Sequence, residues 1–182
     1  EIAQCLVGSE MCIRDRDYAR DMFLFSFYTR GMSFIDMAYL KKSDLKNGII
    51  TYRRRKTGQQ LTVKWEKCME DIIAKYGENT ATRYLLPIIT NPYSDERTQY
   101  RNAICRINVA LKDVAGLAGL DIPLTMHVAR HCWASVAKSK NIPLSVISEG
   151  MGHDSEETTR IYLASLDTSV VDKANSLILK DF

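Results

Sequence analysis

Apolar residues recur at three- and four-residue spacing along most of the chain, which is the period of an amphipathic helix. Residues 16–31, "RDYARDMFLFSFYTRG", show this period and end at Gly31, a residue type that commonly follows a helix. The stretch "SFIDMAYLKKSDL" predicts a second, short helix. After residue 65 the spacing predicts six more: Glu66 to Tyr76, Ser94 to Ala118, Met126 to Ser139, Leu144 to Glu149, Ser155 to Ala164 and Thr168 to Leu179.

Between the second and third helices the pattern changes to two β-branched runs, within "GIITYRRRKTGQQLTVKW". The runs flank Lys56-Thr57-Gly58-Gln59, and this arrangement predicts a β-hairpin. The prolines at 87, 92, 123 and 143 fall between the predicted helices, where they interrupt none of them. The predicted fold class is therefore mainly α with a small antiparallel β-sheet (α+β).

The first fifteen residues, "EIAQCLVGSEMCIRD", show neither a helical period nor clean alternation, so we leave them out of the predicted fold. This string also resembles translated sequencing adapter, in which case it is not native and a preceding domain is missing. Residues 16–182 are numerous enough for one domain with a substantial core. Within that domain, residues 168–179 are expected to form an amphipathic C-terminal tail helix.

Composition excludes several classes of protein. The chain is 46% hydrophobic and 26% charged, has no apolar run long enough to span a membrane, and shows no signal-peptide pattern, which predicts a cytoplasmic protein. Its net charge of +3 permits a polyanionic partner without requiring one. The cysteines form no CxxC pair and are expected to be reduced: Cys5, Cys12, Cys68, Cys105 and Cys132.

The first candidate for chemistry is the segment "PLTMHVARHCWAS", in which Thr125 is placed to cap a helix. His127 and Arg130 then stand at i and i+3 on one face, and a guanidinium beside an imidazole suits a phosphate oxyanion. A chance pair on an ordinary helix is the alternative. His127 and His131, at i and i+4, also raise zinc, but no third ligand stands at a suitable spacing, so we predict no metal site.

The second candidate is "GMGHDSEETTRIY", where Asp154 is expected to be the N-cap of a helix that begins just after His153. His153 then lies at the positive end of that helix, which favours anions. Tyr162 lies two turns along, and the glycines at 150 and 152 would let the entering loop fold back toward it. The competing interpretation is that Tyr162 only packs its ring.

The third candidate is Lys56 on the hairpin tip, within "RRRKTGQQ". A lysine at such a tip is commonly a solvated surface residue. A flexible ammonium on a short hairpin is also well suited to delivering a proton to a leaving oxygen. Both interpretations stay open on the residues alone.

Taken in order, Lys56 in a hairpin, "HVAR" at the start of a helix, "MGH" and "TTRIY" resemble the catalytic domain of the tyrosine recombinase (phage integrase) family. The resemblance runs from about Arg16 to Phe182 and includes the flanking "RHCWAS", in which His131 is a supporting candidate. It implies a recombinase or integrase that cleaves and rejoins DNA without a metal or any other cofactor.

The resemblance also implies a role for each matching residue. Tyr162 would attack the scissile phosphate and form a 3'-phosphotyrosyl intermediate. Arg130 and His153 would hold the nonbridging oxygens. His127 would assist proton transfer at the tyrosine, and Lys56 would protonate the leaving 5' oxygen.

One position departs from the family pattern T-G-x-R-x-x-E. In "TRGMSFIDM", Gly31 matches the glycine and Asp36 stands for the acid, but Ser33 falls where a second phosphate-binding arginine belongs. A divergent branch found on mobile elements has this appearance. Either another cation supplies the lost charge, or Arg130 works alone and the enzyme is slow or depends on a partner. Arg30 is the first candidate cation, because a helical junction would place it on the same face as Ser33, and the run Arg53 to Arg55 is the next.

The resemblance implies double-stranded DNA as the partner, in the cytoplasm and away from membranes. It also implies a homotetramer on DNA, with the tail helix passing between protomers, and possible accessory DNA-bending proteins. Packing of the tail helix on its own domain is the competing interpretation of its apolar stripe. Two alternatives remain. A type IB topoisomerase would use the same chemistry to relax one duplex, and a catalytically impaired module would only bind DNA.

Overall fold

A computed structural model of the chain describes residues 14–77 and 81–164. Most of the poorly patterned N-terminal segment, 1–15, and the whole predicted tail helix, 168–179, therefore lie outside the described residues. Within them, the structure is mostly helical with one three-stranded antiparallel sheet, which confirms the predicted fold class. None of the helices in these two ranges is long and apolar enough to cross a membrane.

Seven helices run through the described part of the chain. They are α1 (Arg14–Tyr28), α2 (Phe34–Ala38), α3 (Lys67–Tyr76), α4 (Glu96–Leu117), α5 (Met126–Ser139), α6 (Leu144–Met151) and α7 (Glu156–Ala164). The strands are β1 (Leu45–Lys46), β2 (Ile49–Arg53) and β3 (Gln60–Lys64), in the order β1-β2-β3. Most of these bounds lie within a few residues of the predicted ones, and α1 begins two residues before the predicted start. The exception is α2, which was predicted to extend to Leu45 but ends at Ala38; the chain then forms a short 3-10 helix, Lys42–Asp44, and strand β1.

Helix α1 lies at the centre of the main core, packed against α3, α4 and α5. Its residues Met22, Phe23 and Phe25 are completely buried. The buried carboxylate of Asp21 ties α1 to α3, since it accepts hydrogen bonds from Tyr76 Oη at 2.5 Å and Lys75 Nζ at 2.7 Å. Helix α1 is thereby fixed as the scaffold on which the other helices are placed.

A second, smaller core forms where α5, α6 and α7 meet. Its buried members are Ala134, Ala137, Ile147, Met151 and Leu163. Trp133, Leu144 and Tyr162 pack against it while staying partly exposed. The C-terminal helices are therefore held to α5 by their own apolar contacts, and Tyr162 belongs to this group.

The junction between α1 and α2 is not helical. Arg30 and Gly31 adopt left-handed backbone angles, with φ of 61° and 72°. Ser33 is extended and is the N-cap of α2, with its hydroxyl accepting from the amide of Asp36. The premise that Arg30 and Ser33 share a helical face was therefore wrong.

The start of α7 also differs from the prediction, because Asp154 is not its N-cap. The helix begins at Glu156, and the Ser155 Oγ accepts from the amide of Thr158 at 3.3 Å. Both side chains can cap a helix, and Ser155 is the one placed to reach the third amide of the turn.

Close backbone approach is required at Gly31. A Cβ placed on it would lie 2.9 Å from both Cα and Cγ of Arg130, nearer than side-chain atoms tolerate. The positive φ of 72° adds a second requirement for glycine. Gly31 is therefore needed for the contact between the α1–α2 junction and α5.

We predict that Gly31→Ala destabilises the protein more than Gly48→Ala. Gly48 has a similar φ of 73° but no atom within 4 Å of a Cβ, so it reports backbone strain alone, about 1–2 kcal/mol. Gly31→Ala should cost about 1–3 kcal/mol more, since Arg130 must also move. Urea unfolding of both variants measures the difference, and equal losses would show that the approach to Arg130 is not tight.

Candidate active site

The structure brings the predicted phosphate-site residues of α5 next to those around α7. The Tyr162 ring centroid lies 5.7 Å from that of His153, 6.0 Å from that of His127 and 3.9 Å from that of His131. The charge of Arg130 acts on Tyr162 and on His153. Residues far apart in sequence are thus gathered at one place.

Arg130 is the most deeply embedded of these side chains, at 5% exposure. Its Nη1 donates to the carbonyl of Gly31 at 2.7 Å, and its Nη2 donates to the carbonyl of Met151 at 2.5 Å. Burial, followed by the nearby charge of Arg54, lowers the pKa of Arg130 to about 10, so the guanidinium remains charged near neutral pH. One side chain therefore joins the α1–α2 junction, α5 and the end of α6.

Arg54 is a second buried guanidinium, and it belongs to the run Arg53 to Arg55 that was considered after Arg30 as a source of the missing charge. It is 8% exposed, and its Nη1 donates to the carbonyl of Gly152. Its backbone amide donates to Gln59 O at 2.8 Å, which continues the β2–β3 pairing by one step. The available signal was strand alternation, because Ile50, Tyr52 and Arg54 occupy successive inward positions.

Asp36 connects α2 to the hairpin. The Ser33 hydroxyl donates to its Oδ2 at 2.6 Å, and the backbone amide of Arg55 donates to its Oδ1 at 2.9 Å. The Arg55 guanidinium lies 3.9 Å above the Tyr39 ring. Asp36 is buried, and neutral donors satisfy both of its oxygens. Among the described residues, no arginine forms an ion pair with this carboxylate.

His153 lies just after α6 and contacts α7. Its Nδ1 is 2.7 Å from the hydroxyl of Thr159, which is completely buried. Burial and the charges of Arg130 and Arg54 lower the pKa of His153 to about 4. The imidazole is therefore neutral at physiological pH and carries a single N–H.

The remaining rings form a cluster on one side of the Tyr162 phenol. His131 stacks flat on Tyr162, with 1° between the ring planes, and His127 meets His131 edge-on at 4.7 Å. Burial raises the pKa of Tyr162 and lowers the pKa values of His127 and His131. An un-ionised phenol is thus surrounded by neutral imidazoles, which can accept its proton.

The two other predicted cations lie in different surroundings. Lys56 is exposed in the hairpin turn, and its charge helps to lower the pKa values of His127 and His153, which places it near the ring cluster. Arg30 is half-buried, and its Cδ lies 3.7 Å from where a Cβ on Gly150 would be. Arg30 therefore runs along α6.

Ser33, His127 and Arg130 line one open cavity between α2, α4 and α5. The amide of Met126, at the start of α5, donates to Asn108 Oδ1 of α4 at 2.9 Å, while the Thr125 side chain makes no capping bond. Among residues 14–77 and 81–164, no three His, Cys, Asp or Glu side chains form a group that could hold a metal ion.

The arrangement combines two buried positive charges with neutral hydrogen-bonding rings and a phenol. None of the ion pairs in the described residues involves Arg54 or Arg130. Buried charges in proteins are normally paired, so these two favour binding of an anion from outside the chain. A phosphate group beside a phenol nucleophile fits this chemistry.

Comparison with solved structures shows the same fold. The chain resembles XerA recombinase with a TM-score of 0.62 and 21% identity, over 93% of this chain and 65% of that one. It resembles XerH site-specific recombinase bound to a palindromic difH substrate with a TM-score of 0.65 and 20% identity, over 96% and 49%. It resembles a lambda integrase dimer bound to a COC' core site with a TM-score of 0.59 and 18% identity, over 88% and 55%.

The chain thus spans about half to two thirds of the length of these solved relatives. No curated protein matches it at a significant level. The sequence profile of the Phage integrase family matches residues 9–169, which is most of the chain. On this match, which the shared fold supports, the chain belongs to the phage integrase family.

Proposed function

We propose that this protein is a site-specific DNA recombinase that cleaves and rejoins strands through a covalent 3'-phosphotyrosyl intermediate. The observation that carries the proposal is the position of Tyr162, which lies among His127, His131 and His153 and within range of the Arg130 charge. A phenol in this position has a proton acceptor, the His127 imidazole, and an anion-binding cation, Arg130, nearby.

In the proposed cleavage step, the Tyr162 oxygen forms a bond to phosphorus as the bond from phosphorus to the 5' oxygen breaks. The phenol proton passes to the neutral His127 imidazole, and the Lys56 ammonium gives a proton to the departing oxygen. The phosphotyrosyl bond retains the energy of the phosphodiester, so a 5' hydroxyl from a partner strand can reverse the step without ATP.

The phosphate itself is held by Arg130 and His153 in this proposal. Negative charge grows on the nonbridging oxygens during attack, and fixed donors in a site with little water stabilise it strongly. Arg130 is already fixed by its bonds to Gly31 and Met151, so no reorganisation is needed when the charge develops. His153 is neutral and adds a hydrogen bond.

The partner in this proposal is double-stranded DNA, and the net charge of +3 is compatible with it. The XerH and lambda integrase structures that share the fold contain DNA substrates, which supports the same partner here. We further propose a homotetramer on DNA, with residues 168–179 passing between protomers, in the cytoplasm and with accessory DNA-bending proteins where the site requires them.

Tyr162→Phe should bind DNA like the unmodified protein but form no covalent adduct, because only the hydroxyl is lost. A duplex nicked near the cleavage point traps the adduct, which denaturing electrophoresis detects. Tyr93→Phe is the matched control, since Tyr93 is 96% exposed and should leave the adduct yield unchanged. An adduct formed by Tyr162→Phe would refute the assignment.

The same assay, run on two duplexes, separates the remaining alternatives. Joining of two DNA molecules indicates a recombinase, whereas relaxation of supercoils alone indicates a type IB topoisomerase. A protein that binds the duplex tightly without forming any adduct would be an impaired DNA-binding module.

Thr159→Val should lower the rate of adduct formation about tenfold, while Thr159→Ser keeps most of it. In the proposed site the Thr159 hydroxyl donates to Nδ1 of the neutral His153, which leaves the proton on Nε2 to face the phosphate. Valine preserves the shape and removes the donor. Rates are compared at equal DNA occupancy, and the melting temperature of each variant shows that it is folded. A serine variant as slow as the valine variant would contradict this role.

Stability should fall as the pH decreases from about 6.5 to about 4. An unfolded histidine takes up a proton near pH 6.5, whereas folded His153 has a pKa of about 4, so the unfolded chain binds more protons in that window. After allowance for solvent screening, His153 alone should contribute about 1 kcal/mol. The free energy of unfolding, measured in urea between pH 4 and 8, should depend less steeply on pH for His153→Asn than for the unmodified protein. An equal dependence on pH would argue against a neutral folded His153.

A further inference from the structure

Ser33 is engaged in a structural role and supplies no charge. Its hydroxyl donates to Asp36 and caps α2, and the residue lines one cavity with Arg130 and His127. If the protein cleaves DNA as proposed, the transition state carries more negative charge on the nonbridging oxygens than Arg130 alone balances. A second cation should therefore reach the phosphate from a neighbouring element.

The hairpin is joined to this position through Asp36. Asp36 accepts from the Ser33 hydroxyl at 2.6 Å on one oxygen and from the Arg55 backbone amide at 2.9 Å on the other. The Asp36 carboxylate therefore links Ser33 directly to the peptide group between Arg54 and Arg55. A side chain of this part of the hairpin that points inward therefore lies near Ser33 and the cavity that Ser33 lines.

Arg54 is that side chain, and it is aligned with Arg130. Its Nη1 donates to the carbonyl of Gly152, while Arg130 donates to the carbonyl of Met151, the preceding residue. Two guanidiniums thus bind consecutive carbonyls at the end of α6, immediately before His153. The negative end of the helix dipole helps to hold both charges there.

Arg54 also keeps bonding capacity for a ligand. Its Nε is buried and has no hydrogen-bond partner among the described residues, and no carboxylate in those residues pairs with it. A buried unsatisfied donor on a charged group is costly unless something binds it. Two like charges buried together raise that cost further.

We propose that Arg54 is the second phosphate-binding arginine of this enzyme and supplies the charge that is absent at Ser33. It would donate to a nonbridging oxygen of the scissile phosphate from the hairpin side, with Arg130 and His153 donating from the helices. No bond to Arg54 forms or breaks in the reaction. The inference rests on the proposed recombinase function.

The other arginines considered for this role lie elsewhere. Arg53 and Arg55 are exposed, with Arg53 Nη1 bonded to Gly58 O at 3.0 Å and Arg55 stacked on Tyr39. Arg30 does not share a face with Ser33 and runs beside Gly150. In contrast, the charge of Arg54 acts on Arg130, and strand alternation explains why its side chain faces inward.

The test compares Arg54→Gln with Arg54→Lys, and Arg53→Gln serves as the matched control on the outer face of the same strand. Adduct formation on a nicked duplex is measured at saturating protein, and thermal melting reports folding. Arg54→Gln should be slower by about 10²–10³-fold, Arg54→Lys should be intermediate because it keeps charge without the fork, and Arg53→Gln should be unchanged. An Arg54→Gln protein that cleaves at the unmodified rate would overturn the proposal.

A second substrate separates charge from structure. In a duplex whose scissile phosphate is replaced by methylphosphonate, one nonbridging oxygen is lost together with its negative charge, so a second cation matters less. The penalty for Arg54→Gln should shrink to about tenfold or below on this substrate, while a purely structural defect would reduce both rates equally and overturn the proposal. Because one protein preparation acts on both substrates, the ratio does not depend on how much of it is folded.

Loss of the recombinase function and loss of the Arg54 role alone would give different results. If the unmodified protein forms no adduct on the ordinary phosphate, the proposed recombinase function fails and the role of Arg54 with it. If the unmodified protein forms the adduct and Arg54→Gln forms it equally fast, only the role of Arg54 fails.

Discussion

The burial of Arg130 against neutral backbone carbonyls is the constraint on which the rest of the structure depends. Its guanidinium holds the carbonyl of Gly31 on one side and that of Met151 on the other, so three distant segments meet at one side chain. Carbonyl dipoles fix the position of the group without neutralising it. A carboxylate partner would stabilise the same geometry but would also compete with a phosphate.

Asp36 does not neutralise the buried arginines, because its oxygens are bonded to other groups. It is a buried carboxylate whose charge acts on Arg130, yet it accepts from the Ser33 hydroxyl and from the backbone amide of Arg55. Its charge therefore holds the hairpin in place and leaves the Arg54 and Arg130 charges for a ligand. The close approach at Gly31 serves the same end, since any side chain there would push α5 away from the junction.

The small core of α5, α6 and α7 has a comparable role for the rings. Tyr162 packs on it and stacks on His131, while His153 is held at the end of α6 by its amide hydrogen bond to the Ser148 carbonyl and its contact with Thr159. Burial makes the imidazoles poorer bases and the phenol a weaker acid, so all of these groups are neutral near pH 7. Neutral rings do not repel the buried arginines, so both kinds of group can lie close together.

The sequence by itself determined most of the helices within residues 14–77 and 81–164, the hairpin and the family, because apolar spacing and the order of Lys56, His127, Arg130, His153 and Tyr162 are local or linear properties of the chain. It did not determine the cap of α7, because the neighbouring Asp154 and Ser155 are both good N-cap residues and differ only in which amide they reach. It named the run Arg53 to Arg55 only as a second choice after Arg30 and did not distinguish Arg54 within it, although the inward alternation was visible, because an arginine in a basic run is ordinarily solvated. Only the tertiary structure decided that this side chain turns inward, since its burial depends on the Gly152 carbonyl and on a hairpin fixed by Asp36, contacts that join residues far apart in sequence.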